Sequence, residues 1–155
     1  MKKLLASAGI AASVAAASAQ AQNIEINANG STPTRNADSS QFEGRVLLDG
    51  LTTKSSVASF GSGLVSFAPG ARTAWHSHPA GQWLYVTAGK GWIQQQGQAV
   101  QEIKAGDAIW IPAGVKHWHG ATDKTSMSHI GITPYHDGKN VTWMEQVSDT
   151  DYRKP

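Results

Sequence analysis

From Arg45 onward the chain runs in short apolar stretches broken by Gly, Pro and Asp. Val46–Leu48, Val57–Phe60, Leu64–Phe67, Thr73–His78, Trp83–Thr87, Gly91–Gln95, Val100–Ile103, Ala108–Ile111, His117–Ala121 and Met127–Thr133 each predict a strand, being short and rich in β-branched and aromatic residues. Turn chemistry lies between them at Pro69-Gly70, Gly89-Lys90-Gly91, Gly97-Gln98, Gly106-Asp107, Pro112-Ala113-Gly114 and Asp123-Lys124. No long segment repeats its apolar residues at the helical period, so helices should be few. One capped helical turn is predicted over Asp149–Arg153, after Ser148. Many short strands in one domain predict an all-β sandwich or closed barrel, and closure removes the exposed edges that invite aggregation.

The first forty residues differ. Met1-Lys2-Lys3 is followed by an uncharged Ala/Ser-rich run to about Ser18 and then by Ala19-Gln20-Ala21. This is the pattern of a cleavable secretory signal over 1–21, cut after Ala21, which places the protein in the periplasm or outside the cell. The run is too alanine-rich and too short to span roughly 30 Å of hydrocarbon. Residues 22–41 are rich in Asn, Ser, Thr and Ala and predict a flexible arm with a short strand at Ile24–Ile26. Residues 42–155 form the one folded domain, with no internal repeat.

The chain has 13 Lys and Arg against 11 Asp and Glu, and Lys2 and Lys3 account for the excess. A near-neutral domain without a basic stripe gives no electrostatic case for nucleic acid or an anionic membrane. With no cysteine, an exported chain must rely on its core, helped by any ion that binds only the folded form.

Candidate chemistry sits in two segments, Gly70-x5-His76-x-His78-x3-Gln82-x6-Gly89 and Gly106-x5-Pro112-x-Gly114-x2-His117. His76 and His78 share one face of a strand, because successive side chains alternate. Pro79-Ala80-Gly81 turns the chain so that Gln82 can return to the same point, and His117 arrives from a distant strand. Three imidazoles suit Mn, Fe, Co, Ni, Cu or Zn rather than Ca or Mg. All four donors are neutral, so a divalent ion held by His76, His78, Gln82 and His117 would keep its full charge. That favours Lewis-acid chemistry over stabilising a higher oxidation state.

The two segments, separated by Lys90–Ala105, resemble the paired motifs of the cupin superfamily, which implies a single jelly-roll β-barrel with the metal inside. Gln82 stands where cupins commonly have glutamate, and Ala121 where they often have asparagine. The run Pro69–Gln82, with His117–Ala121, Met127-Ser128-His129, Asp137-Gly138-Lys139 and Trp143-Met144-Glu145, is similar to the small manganese-dependent cupin hydroxynitrile lyases. That resemblance covers roughly Leu64 to Tyr152. It implies Mn(II), with Fe, Ni, Co or Zn as alternatives, on His76, His78, Gln82 and His117. It also implies His129 as the base that cleaves or forms cyanohydrins.

Read from the residues alone, His129 is either a base near the open side of the metal or a buried structural histidine. His119, two residues beyond His117, reads as a pocket residue rather than a fifth ligand. Arg72 and Thr73 are pocket candidates as well; Arg72 would hold an anionic group or pair with an acid near the barrel mouth. Gly63, Val65 and Phe67 should alternate inward and line the pocket, joined by Trp110. The six tryptophans should be core or subunit interface, and His136 a solvated loop residue. The expected partner is a small-molecule substrate, within a homo-oligomer. The alternatives are a cupin dioxygenase or oxidoreductase, which Gln82 disfavours, and a non-catalytic small-ligand binder.

Overall fold

The computed structural model describes residues 24–52 and 59–152. The signal segment 1–21 therefore lies outside the described residues, as do Val57, Ala58 and Arg153 of the expected elements. Among the described residues the chain is all strand, as expected, and every pairing is antiparallel. The strands are β1 (Arg35–Asn36), β2 (Phe42–Glu43), β3 (Val46–Gly50), β4 (Phe60–Phe67), β5 (Arg72–Thr73), β6 (His76–Ser77), β7 (Gln82–Gln95), β8 (Gln101–Lys104), β9 (Ala108–Ile111), β10 (His117–Ala121), β11 (Met127–Pro134) and β12 (Thr142–Trp143).

One long strand joins two curled sheets. The first half of β7 pairs with β9 and β11, and the sheet continues through β4 and β3 to β1. Its second half pairs with β8 and β10, which carry β5, β2, β6 and β12. Trp83–Thr87 and Gly91–Gln95 are thus one strand, and the expected turn at Gly89-Lys90-Gly91 is instead the bend between sheets. Gly89 has φ +72°, and a β-carbon there or on Gly91 would overlap the backbone of Ser126 or Gly120. Closely crossing backbones, not a chain reversal, demand those glycines.

Two other expectations change. Thr73–His78 divides because Ala74 N donates to Gln41 O and Trp75 N to Glu145 O, which shifts the ladder to new partners. Ile24–Ile26 forms no strand, and both isoleucines are exposed. The capped turn expected after Ser148 forms over Asp149–Tyr152, where Asp151 N donates to Ser148 Oγ and Tyr152 N to Ser148 O. In the 22–41 segment, Arg35 and Asn36 pair with Leu48 and Leu47.

Two apolar clusters hold the sheets. Phe42, Val46, Phe67, Val86, Ile103 and Met127 fill the interior. Trp75, Trp92, Trp118, Val147 and Tyr152 cover the outer face of the second sheet, where the C-terminal segment folds back. Alternation explains the division: Trp118 lies between His117 and His119, so it faces outward where they face inward. Trp83 and Trp110, by contrast, pair across strands on the outside of the first sheet and are half exposed. Phe67 is core, and Trp110 does not line the cavity, which corrects both sequence expectations.

Candidate metal centre

The antiparallel pairing of β10 with β6 sets His117 directly opposite His76, with ring centroids 4.2 Å apart. His78 follows β6 immediately, its ring 5.0 Å from His76 and 5.4 Å from His117. The turn after it needs Gly81, since φ is +78° and a β-carbon would lie 2.6 Å from the Trp110 ring. Gly114 N donates to His78 O at 2.9 Å, tying the second motif's turn to the first. Gln82 then opens β7, and its Nε2 donates to Thr133 Oγ1 at 3.0 Å. Spacing in the sequence becomes convergence through these pairings.

The three motif histidines are oriented alike. Nδ1 of His76 faces Ala74 O at 2.9 Å, that of His78 faces Asn140 O at 2.6 Å, and that of His117 faces Val115 O at 2.9 Å. A carbonyl can only accept, so each Nδ1 carries the proton and each Nε2 keeps its lone pair. His78 Nε2, His117 Nε2 and Gln82 Oε1 are buried without a hydrogen-bond partner. Leaving an acceptor in that condition costs about 1–3 kcal/mol. Burial lowers the pKa of all three imidazoles, that of His117 to about 4, so they are neutral at physiological pH. Neutral, pre-oriented, unpartnered donors are what a divalent cation requires, and this donor set fits one.

His119 offers a different geometry. Its ring, with those of His76 and His117, presents nitrogen atoms within 4.8 Å of one another, so a three-histidine cluster exists whichever third member binds. Neither His119 nitrogen has a hydrogen-bond partner, however, so no carbonyl fixes its tautomer as in the other three. Its ring meets His129 edge-on at 4.8 Å. His129 is buried too, with both nitrogens unpartnered and its pKa lowered to about 4 by burial.

These groups line one cavity of about 920 Å³. His76, His78, Gln82, His119 and His129 reach it, as do Thr73, Gly63 and Val65. Thr73 Oγ1 also accepts from His119 N at 3.1 Å. Arg72 does not reach it: on the two-residue strand β5 it points opposite to Thr73. Its guanidinium bonds Val147 O at 3.0 Å, pairs with Glu43 and Asp149, and lies 4.4 Å from the Tyr152 ring centroid. Arg72 therefore clamps the C-terminal segment and is no pocket residue. His136 is exposed, beside Asp137.

Sequence reasoning missed four contributors. Thr133 holds the Gln82 amide, and it shares a strand face with His129, a period-two signal that could have found it. Asn140 supplies a carbonyl, Trp143 packs 4.8 Å from His76, and Phe42 walls the cavity. No spacing pattern marks those three.

Comparison with known proteins agrees with this fold. The cupin domain family model matches residues 63–132. An (R)-mandelonitrile lyase of Granulicella tundricola is 47% identical over 131 residues, spanning 84% of this chain and all of that protein. The crystal structure of a cupin-like protein from Thermotoga maritima superposes with a TM-score of 0.73 at 39% identity, over 84% of this chain and 96% of its own. The polyketide cyclase RemF from Streptomyces resistomycificus shares the fold, with a TM-score of 0.65 at 18% identity over 84% and 91% of the two chains. With its barrel, its histidine cluster and these relatives together, the chain belongs to the cupin superfamily, close to its hydroxynitrile lyases.

Proposed function

We propose that this protein is a carbon–carbon lyase that cleaves and forms cyanohydrins, interconverting them with an aldehyde and hydrogen cyanide. The observation that carries the reading is His129, a neutral, buried imidazole with both ring nitrogens free, in the cavity that His76, His78 and Gln82 also line. His76, His78, Gln82 and His117 would hold a divalent ion, Mn(II) by resemblance, with Fe, Co, Ni or Zn suiting the same donors. When bound, such an ion supplies positive charge where oxygen or cyanide becomes negative.

The chain's own groups account for the proton. A free His129 nitrogen takes the substrate's hydroxyl proton, the O–H electrons form the carbonyl, and the carbon–carbon pair departs with cyanide. The imidazolium returns that proton to cyanide, so atoms and charge balance. Burial keeps His129 unprotonated above about pH 4 and so available as a base in mildly acidic and neutral solution. Phe67, against the rings of both His119 and His129, packs these side chains in place, and Thr73 Oγ1 holds the His119 main chain. Purified protein loaded with Mn(II) should release benzaldehyde from mandelonitrile well above the buffer rate at mildly acidic pH; a rate equal to buffer would defeat the reading.

The setting belongs to the same proposal. The charged start, apolar run and Ala19-Gln20-Ala21 support export to the periplasm or beyond. A homo-oligomer is supported by the bare outer face of the first sheet. There Trp83, Tyr85, Trp110 and Ile132 stand 41–52% exposed, whereas the C-terminal segment covers the second sheet. Phe60–Phe67, Gln82–Ala88, Ala108–Ile111 and Met127–Pro134 contain no Asp, Glu, Lys or Arg, so two such faces can meet without burying an unpaired charge.

A further inference from the structure

Next to His129 the inner face of the first sheet carries a strip without side chains. In β11 and β4, Gly131 lies opposite Gly63, between the pair His129–Val65 and the pair Thr133–Gly61. On its other side Gly131 pairs with Leu84 of β7. Glycine in a strand interior gives up packing and backbone entropy, so it usually marks a bulge, a tight bend or a close approach. Gly91 and Gly120 have such a cause, since a β-carbon on either would collide with backbone.

Gly131 has none of these causes. Its φ is not in the left-handed region, and it pairs in register with both neighbours, the β11–β7 bulge lying at Ser128–His129. A β-carbon there would meet Gln82 Nε2 at 3.6 Å, Leu84 Cδ2 at 3.6 Å and His129 Cε1 at 3.7 Å, all ordinary contacts. It would project into the cavity between His129 and Gln82. At Gly131 the missing side chain leaves room that the fold itself does not need, whereas a β-carbon on Gly63 would lie 3.2 Å from Asp49 O, so close backbone approach accounts for that glycine.

We propose that the Gly63–Gly131 strip seats the substituent on the substrate's reacting carbon, a flat aromatic ring lying on the peptide floor, and that Gly131 sets its size. The inference rests on the cyanohydrin reading for its reaction but on glycine geometry for its place. A carbon within reach of His129 directs its substituent along the strip. Peptide planes there offer a level surface, with Val65, Phe42 and Trp143 as apolar walls. A ring fits a floor without side chains, and a β-carbon at Gly131 would lift it off the floor.

The test uses the whole protein loaded with Mn(II), as wild type, Gly131→Ala and Gly131→Val, with metal content measured for each. The reading is the ratio of kcat/KM for mandelonitrile to that for lactonitrile, whose substituent is a methyl. We expect the ratio to fall about tenfold or more in Gly131→Val and by a smaller factor in Gly131→Ala, the scale set by small volume changes in a fitted pocket. Should the valine variant fail to fold, the alanine variant carries the test, because its added carbon meets only ordinary contacts. A ratio that stays level or rises overturns the seat. If wild type cleaves neither nitrile, the lyase reading fails by itself and the seat is judged by binding. Benzaldehyde is then titrated while the Val65 methyl resonances are followed. Saturable binding to wild type that weakens about tenfold in Gly131→Val upholds the seat; no binding, or equal affinity, overturns it.

Discussion

His119 stands edge-on to His129 with ring centroids 4.8 Å apart, and none of the four ring nitrogens has a hydrogen-bond partner. Packing alone holds the pair, with the Phe67 ring 6.0 Å from one and 5.7 Å from the other. His76, His78 and His117 are instead locked through Nδ1 to backbone carbonyls. The site thus contains two kinds of histidine, three with Nδ1 tied to a carbonyl and two with both ring nitrogens unpartnered.

For His129 this predicts a separation of chemistry from metal binding. His129→Ala should lower kcat/KM for mandelonitrile by roughly 10²-fold or more, the usual scale for losing a general base. Metal content by elemental analysis should stay at the wild-type level. Activity that survives the substitution would place the base elsewhere.

The two overlapping histidine sets make a second prediction. His78→Ala and Gln82→Ala should lose metal, as should His76→Ala and His117→Ala, while His119→Ala keeps it. Dialysis followed by elemental analysis decides the matter. Loss in His119→Ala with retention in His78→Ala would make the cluster of His76, His117 and His119 the true donor set.

Buried neutral histidines also govern acid stability. His117 and His129 have pKa values of about 4 when folded, against an ordinary 6.5, with burial as the leading cause. Between those values the unfolded chain binds more protons, so stability is complete above about pH 6.5 and is lost progressively down to about pH 4. Each residue contributes on the order of 3 kcal/mol across that window. Urea midpoints of chelator-treated protein should fall steeply from neutral pH to about pH 5; a flat profile would contradict the burial.

Arg72 is a structural clamp, and its removal should be felt in stability rather than in substrate preference. Arg72→Ala should cost about 2–3 kcal/mol, chiefly through Val147 O and the Tyr152 ring. Asp149 and half-exposed Glu43 regain water on its loss and so add little. Denaturant unfolding beside the mandelonitrile-to-lactonitrile ratio tests this; a shifted ratio with unchanged stability would return Arg72 to the pocket.

On the outer face, Trp83→Glu should dissociate the proposed oligomer, since a carboxylate would face the partner's apolar surface without a counter-charge. Light scattering after size exclusion should report a lower mass for the variant. A wild-type protein already monomeric at high concentration would remove the case for that interface.

Much of this was legible in the sequence because strands alternate. His76-Ser77-His78 and His117-Trp118-His119 announced strands with imidazoles on one face, and the resemblance of the two glycine-edged motifs to cupins implied the barrel. Alternation equally allowed Arg72 to point either way, and nothing local said that a carbonyl at Val147 would receive it. Glycine was the other ambiguous letter: Gly89-Lys90-Gly91 reads as a turn, yet it is the bend of one continuous strand.

By itself, then, the sequence determined the all-β class, the paired motifs and the candidate donors, because periodicity and turn chemistry act over a few residues. Tertiary structure decided how His78 is locked, through the carbonyl of the distant Asn140. It also decided that Gly131 faces Gly63 beside His129. Both are relations between segments far apart in the chain, fixed by packing and ladder register, which no local pattern of side chains encodes.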